Sequence, residues 1–434
     1  MLPVAEARRR VLEAFAPLAP TEVLVRDALG LVAAETLRAP HALPRFANSA
    51  MDGYALRGAD AADASEATPV TLEVTGEIRA GDPGDLEVSA GTAVRIMTGA
   101  PLPPGADAIA PIEVAQEDEG RVTIVAPTPS GKHVRPAGDD LGEGDVLVEA
   151  GQELGPGELA LLASMGMSPL RVRGAPKVAV LVTGDELVAP EATPGAGQIR
   201  DSNSIALTAL VKEAGGEVIS AGPVADTYES TEEAFRRAAE LSDLVMSSGG
   251  VAVGRYDFVK DVVTNLGRID LWRVAMQPGK PVVLGAIGGK PFLGLPGNPV
   301  SIHVGFEQFV RPAIRKLRGC ANLLRPRIEA TLTETITKPA GRLHFVRVRL
   351  SMGRAGGSTM GRAGGSNMGQ AGGSNRRAGA GGSGFSATPT GPQGSHIQSS
   401  LINCHGVALF ERDKSRLEAG STVTVEVWRL PEEP

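Results

Sequence analysis

Residues 177–224 read KVAVLVTGDELVAPEATPGAGQIRDSNSIALTALVKEAGGEVISAGPV. The apolar run KVAVLV is a strand, and the polar turn Thr183-Gly184-Asp185-Glu186 follows it. SIALTALVKEAGGEV carries apolar residues at helical spacing and breaks at Gly215-Gly216, where glycine ends a helix without a Cβ penalty. VISAGPV is the next strand. Outward from here, STEEAFRRAAELS is a helix with Ser230 or Thr231 as N-cap, and LVMSSGG is a strand and loop. KPVVLGAI and GKPFLGLPGNPVSIHVGFEQFV supply more strands and a closing helix. Strands alternating with helices predict a parallel, doubly wound α/β domain over 175–319, with ligands beyond the carboxyl ends of its strands.

The flanks differ. Residues 1–45 begin with the amphipathic helix MLPVAEARRRVLEAF and continue extended; with 146–174, which hold the short helix PGELALLASMGM, they form a first domain. Short β runs broken by Gly and Pro (TPVTLEVTGEI, GTAVRIM, GRVTIVAP) predict an all-β module over 46–145. Residues 320–434 return to β runs, RIEATLTETIT, HFVRVRL, GVALFE and STVTVEVWRL, interrupted by a Gly-rich insert over 352–395. That tract holds the tandem octapeptide MGRAGGST MGRAGGSN MGQAGGSN, has no acid, and is too rich in Gly and Ser to bury a core. It reads as a flexible hairpin expansion; the alternative is a basic tether for an anionic partner.

Composition narrows the function. The chain has 434 residues, 42% apolar and 21% charged, with net charge −7, which argues against a nucleic-acid binder because phosphate contacts need excess Lys and Arg. The two cysteines, Cys320 and Cys404, match no metal spacing and suggest a reducing compartment. With no signal peptide and no membrane-spanning run, a cytoplasmic protein is expected. There is no P-loop, no well-placed GxGxxG, no HExxH and no CxxC.

What remains is a set of polar loops at predicted strand ends. They are Thr183–Glu186, then Ser247-Ser248-Gly249-Gly250 leading to Tyr256-Asp257, then Pro296-Gly297-Asn298-Pro299-Val300-Ser301. Each has a plain reading as a turn or helix start. Together they face one edge, where glycine-rich backbone and helix N-termini attract anions. Asp185, Glu186, Asp226 and Asp257 suit Mg²⁺, a hard cation that takes oxygen ligands, and Lys280 can neutralise a phosphate or oxyanion. In the β module, Thr98 in IMTGAPLPPGADA offers a hydroxyl and an N–H, in what is otherwise a proline-fixed corner. Asp52 in NSAMDGYAL reads as closing a turn, with Gly53 giving backbone freedom and Tyr54 packing.

These segments in this order, with VRPAGDDLGEGDVLVEAG, GQIRDSNS and MQPGKPVVLG, resemble the MoeA family of molybdopterin molybdenumtransferases, whose eukaryotic relative is the E domain of gephyrin. The resemblance covers nearly the whole chain outside the Gly-rich insert. It implies an elongated, four-domain homodimer with an α/β molybdopterin-binding domain III and small β-domains, domain IV being a β-barrel. It implies Mg²⁺-dependent cleavage of adenylylated molybdopterin, with molybdate as the second substrate, molybdenum left on the dithiolene and AMP released. A non-catalytic scaffold on the same fold is the alternative. Transient contact with an adenylyltransferase and with molybdoenzyme maturation proteins would follow.

By the same resemblance Asp52, Thr98, Glu186, Asp226 and Asp257 would be catalytic, the last three also holding Mg²⁺. Thr183, Gly184, Asp185, Ser247, Ser248, Gly249, Gly250, Arg273, Lys280, Pro296, Gly297, Asn298, Pro299 and Ser301 would bind the pterin substrate. The cleft would lie between domain III of one subunit and domain II of the other, so that Asp52 acts across the dimer. Gln277 stands where some members carry Lys, which shifts oxyanion charge onto Lys280.

Overall fold

A computed structural model describes residues 1–250, 258–352 and 384–431. Asp257 lies outside the described residues, as does the octapeptide repeat. Among the described residues no helix is long and apolar enough to cross a membrane.

The central sheet has six strands: β1 (Lys177–Thr183), β2 (Glu217–Val224), β3 (Leu244–Ser248), β4 (Gly267–Arg273), β5 (Pro281–Ile287) and β6 (Lys290–Leu295), in the order β2-β1-β3-β6-β5-β4. β2, β1, β3 and β6 run parallel, but β5 pairs antiparallel with both of its neighbours, β6 and β4. The sheet is therefore mixed rather than wholly parallel. Gly288-Gly289, both at positive φ (54° and 80°), turn β5 into β6 as a two-residue hairpin, which forces antiparallel pairing. Both faces are covered. Val178, Val180 and Val182 pack on one side with Leu207 and Leu210; Ala179 and Leu181 pack on the other with Phe235 and Val259.

Four helices matter for the site. α1 (Val4–Glu13) lies N-terminal; α2 (Asn203–Glu213) and α3 (Tyr228–Leu241) follow β1 and β2; α4 (Pro299–Gly305) follows β6. The cap of α3 is Thr227, whose Oγ1 accepts from Ser230 N–H, not Ser230 or Thr231 as the sequence suggested. α4 continues through a π-turn into Arg311–Leu317. Pro312 has no N–H for the carbonyl of Gln308, and Arg8 Nε of α1 donates to that carbonyl at 3.1 Å. Val4, Ala7, Val11 and Phe15 join the α/β core, so the N-terminal helix packs there and not with the extended segment after it. That segment shares a separate core with the later stretch: Ala28, Ala33 and Leu37 pack on Val148, Leu162 and Val172.

The β module is a six-stranded sheet in which Gly53–Leu56 pairs with both Thr92–Ile96 and Ala108–Pro111. Gly53 is needed for space rather than for turn freedom. A Cβ there would meet Ala110 O at 2.0 Å. Gly53→Ala is expected to lower stability by about 2–4 kcal/mol, on the scale of overpacking in a core, read as the shift in denaturant midpoint. An unchanged midpoint would contradict it.

The C-terminal strands Arg327–Leu332, Leu343–Met352, Phe385–Pro389, Gly406–Phe410 and Thr422–Val427 close a barrel, because Leu343–Met352 pairs with both Phe385–Pro389 and Gly406–Phe410. Met276–Gln277 adds to its rim alongside Leu343–His344. The expected loop over 352–395 is thus too long at its C-terminal end. Phe385–Pro389 is a barrel strand, and Ser395 O accepts the N–H of Val300 at the start of α4. Composition hid this segment: Gly384, Gly391 and Gly394 continue the glycine density past the point where strand pairing resumes.

Candidate functional site

A cavity of about 510 Å³ opens beyond the carboxyl ends of β3 and β6, where the α/β layer meets the barrel. Its first wall is made by two glycine loops. Gly249 and Gly250 adopt φ of +87° and +66°, and Gly249 N–H donates to Leu295 O at 3.1 Å. A Cβ on Gly249 would come within 3.0 Å of Thr183 Oγ1, so the end of β1 needs glycine there. Pro296, Gly297 and Asn298 form the facing loop, with Ser301 behind it on α4. Asn203, the first residue of α2, ties the two loops together: its Nδ2 donates to Ser248 Oγ at 3.1 Å and to Gly297 O at 2.8 Å.

The second wall is Gln277-Pro278-Gly279-Lys280 between β4 and β5, and the third comes from the barrel, with Arg342 and Gln393-Gly394-Ser395. The charged residues among the described lining are Lys280 and Arg342, both cations, with no carboxylate beside them. Their field and the backbone amides of a glycine turn suit a compact oxyanion or a phosphate.

The acids lie apart from this lining. Asp226, after β2, sits with Asp185, after β1; Asp226 N–H donates to Asp185 Oδ1 at 2.9 Å. Burial raises the Asp226 carboxyl above its usual range, and the nearby charges of Asp185 and Glu186 push the same way. Gly184 (φ +151°) makes room for Glu186, because a Cβ there would meet the Glu186 carboxylate at 2.6 Å. Among the described residues no three His, Cys, Asp or Glu side chains converge closely enough to hold a metal by themselves. The set fits Mg²⁺ in the way that ion is usually held, by one or two carboxylates with water and ligand phosphates completing the shell.

Asp52 and Thr98 form a third group, in the β module. Thr98 N–H and Oγ1 both donate to Asp52 Oδ1, at 2.7 and 2.8 Å. The backbone N–H, then the hydroxyl, hold this exposed carboxyl below its ordinary value. The two loops are laced together, since Gly99 N–H donates to Ser49 O and Ser49 N–H to Ala100 O.

The structure therefore brings Gly249, Gly250, Lys280, Pro296, Gly297, Asn298 and Ser301 together around one cavity. Thr183, Ser247, Ser248 and Pro299 support it from behind or beside: Ser247 and Ser248 are buried at the end of β3, and Pro299 opens α4. Arg273 ends β4, outside the described lining, where its carbonyl accepts the N–H of Leu2. Gly184, Asp185, Glu186 and Asp226 form the acidic neighbour, and Asp52 and Thr98 stand on the β module. Sequence reasoning missed Asn203, Arg342 and Gln393–Ser395. Only Asn203 carried a signal, as a polar residue opening a helix after a strand.

The chain is similar to known proteins over most of its length. Residues 2–166 match the family model described as MoeA N-terminal region (domain I and II), and residues 179–316 match that of a probable molybdopterin binding domain. The chain is 36% identical over 429 residues to the molybdopterin molybdenumtransferase of Haemophilus influenzae, covering 98% of each. It is 39% identical over 356 residues to molybdopterin molybdenumtransferase 2 of Mycobacterium tuberculosis, covering 81% of this chain and 88% of that one. Two solved molybdopterin biosynthesis MoeA structures from Pyrococcus overlay with TM-scores of 0.80 and 0.78 at 31% and 26% identity, each covering 99% of this chain.

Proposed function

The chain belongs to the MoeA family, a transferase of molybdenum cofactor biosynthesis, and from that premise we propose that it inserts molybdate into adenylylated molybdopterin, with release of AMP. The observation that carries this reading is the cavity with two glycine loops and, among its described lining residues, two cations and no carboxylate.

Lys280 and Arg342 balance a tetrahedral dianion, and Gln277 and Ser395 add neutral hydrogen bonds. The amides of Gly249 and Gly250 and the start of α4 suit the pterin-side phosphate and pterin edge of the second substrate. The phosphoanhydride of that substrate then extends toward Asp185, Glu186 and Asp226. Asp226, with Asp185 or Glu186, would hold Mg²⁺ there; the ion supplies charge neutralisation for the departing AMP. Asp257 remains a candidate for the same cluster on sequence grounds.

Asp52 and Thr98 enter through assembly. They lie outside the described lining of their own chain's cavity, and their carboxylate is exposed. In a two-fold homodimer the Asp52 loop of one subunit would complete the cavity of the other. An ionised Asp52 that already accepts two hydrogen bonds on Oδ1 is suited to orient a water or a metal-bound ligand through Oδ2.

The test is direct. Purified protein given adenylylated molybdopterin should release AMP when both Mg²⁺ and molybdate are present, and not when either is withheld. Release that ignores molybdate would replace this reading with a pyrophosphate hydrolase. No release under the full conditions would end it.

A further inference from the structure

Arg347 is wholly buried on the outer face of its barrel strand, opposite the inward-facing Val346 and Val348, under the segment that holds Pro392, Gly394 and Ser400; among the described residues no carboxylate pairs with it. Burial pushes its guanidinium down to about 10, a measure of how poorly this covered outer face suits the charge. Its hydrogen bonds go to one stretch of chain. Nε donates to Ser400 Oγ at 3.1 Å, and Nη2 donates to the carbonyls of Gly394 and Pro392 at 3.2 and 3.4 Å. Its backbone grips the same stretch: Arg347 N–H donates to Gln393 Oε1 at 2.8 Å, and Arg347 O accepts from Gln393 Nε2 at 3.3 Å and Thr390 N–H at 3.0 Å.

We propose that Arg347 is a positioning residue of the oxyanion cavity, acting through the 392–395 turn that presents Gln393, Gly394 and Ser395 as its barrel wall. The turn lies outside the barrel strands, so ladder hydrogen bonds do not fix it. A buried cation is a costly way to seal a segment onto the outside of a barrel, and an apolar side chain of the same length would pack there more cheaply. What the cation supplies is a fork of donors that holds three carbonyl or hydroxyl oxygens at fixed spacing. Arg347 itself is not among the lining residues, so it acts by holding the wall and not by touching the anion.

This inference rests on the cavity being the molybdate site, and the experiment separates the two ideas. Arg347→Met and Ser400→Ala proteins would be compared with wild type by molybdate titration calorimetry and by amide hydrogen exchange. The expected result is native circular dichroism, a molybdate Kd raised about tenfold or more, the scale of one lost polar contact to charge, and faster exchange confined to 391–396. Arg347→Lys should restore part of the affinity, through the one or two oxygens an ammonium can reach. If wild type binds no molybdate, the oxyanion reading fails, while the exchange data still decide whether Arg347 holds the turn. Wild-type exchange over 391–396 and wild-type affinity in a folded Arg347→Met protein would overturn the proposal. If that variant does not fold, Ser400→Ala decides by the same two readouts.

Discussion

Asp226→Asn is expected to leave the fold intact and to cut Mg²⁺-dependent AMP release at least about a hundredfold, because metal ions contribute several kcal/mol of charge stabilisation in phosphoryl chemistry. The change keeps size and hydrogen-bonding capacity and removes one charge. In the absence of metal it should slightly stabilise the protein. The Asp226 carboxyl is penalised by burial and by the charges of Asp185 and Glu186, and Asn feels neither penalty as an ion would. Adding millimolar Mg²⁺ should then raise the thermal midpoint of wild type, since a ligand that binds the native state stabilises it, and raise that of the variant less. This opposition between stability and turnover is the signature of a site held in a strained, cation-seeking state. A variant with full turnover and the same Mg²⁺ response would remove Asp226 from the metal site. A variant that unfolds would instead make the Asp226 carboxylate itself structural, since Asn keeps the backbone N–H that donates to Asp185.

The α/β domain was largely legible in the sequence because its signals are local. KVAVLV, the helical period of 204–214 and the Gly215-Gly216 stop each identify an element without knowledge of the others. Its antiparallel edge was not read, since strand direction depends on what the Gly288-Gly289 turn connects. The glycine loops were legible as candidate anion sites, because positive φ in consecutive glycines is a backbone property of the residue type. The third wall of the cavity was not. Arg342 and Ser395 come from opposite sides of a Gly-rich tract, and only closure of the barrel brings them beside Lys280. Arg347 shows the same limit: in HFVRVRL it alternates like a solvent-facing residue of a strand, yet it is fully buried. Period-two patterning separates the faces of a strand and puts Arg347 outside the barrel, but it does not say that a later stretch, Pro392 to Ser400, covers that outer face. Asp52 is the converse case. Its chemistry was visible, but its partner Thr98 lies 46 positions away in a loop that looked like a plain corner.

Mixing Asp52→Ala chains with Lys280→Ala chains should regain activity that neither parent possesses. The reasoning is geometric. Lys280 lines the cavity on the α/β layer, whereas Asp52 belongs to the β module and is held ready by Thr98 at a distance from its own chain's described lining. Lys280→Ala removes one of the two cations that balance the oxyanion, so the parent should lose at least about a hundredfold in molybdate-dependent turnover, as expected for removal of a charged contact in a water-poor site. Asp52→Ala should lose a comparable amount if its free oxygen meets the substrate. In a two-fold dimer assembled at random, half the molecules are mixed, and each mixed molecule has one cavity with wild-type Lys280 facing wild-type Asp52. Recovery should therefore approach about a quarter of wild-type activity after the chains are unfolded and refolded together. If the Asp52 loop served the cavity of its own chain, every site would keep one lesion and no mixture would recover. If Asp52→Ala alone were fully active, the carboxylate would only hold the Thr98 turn. The experiment thus reads which chain supplies the acid from activity alone, because the two lesions can complement only when their side chains meet across the interface.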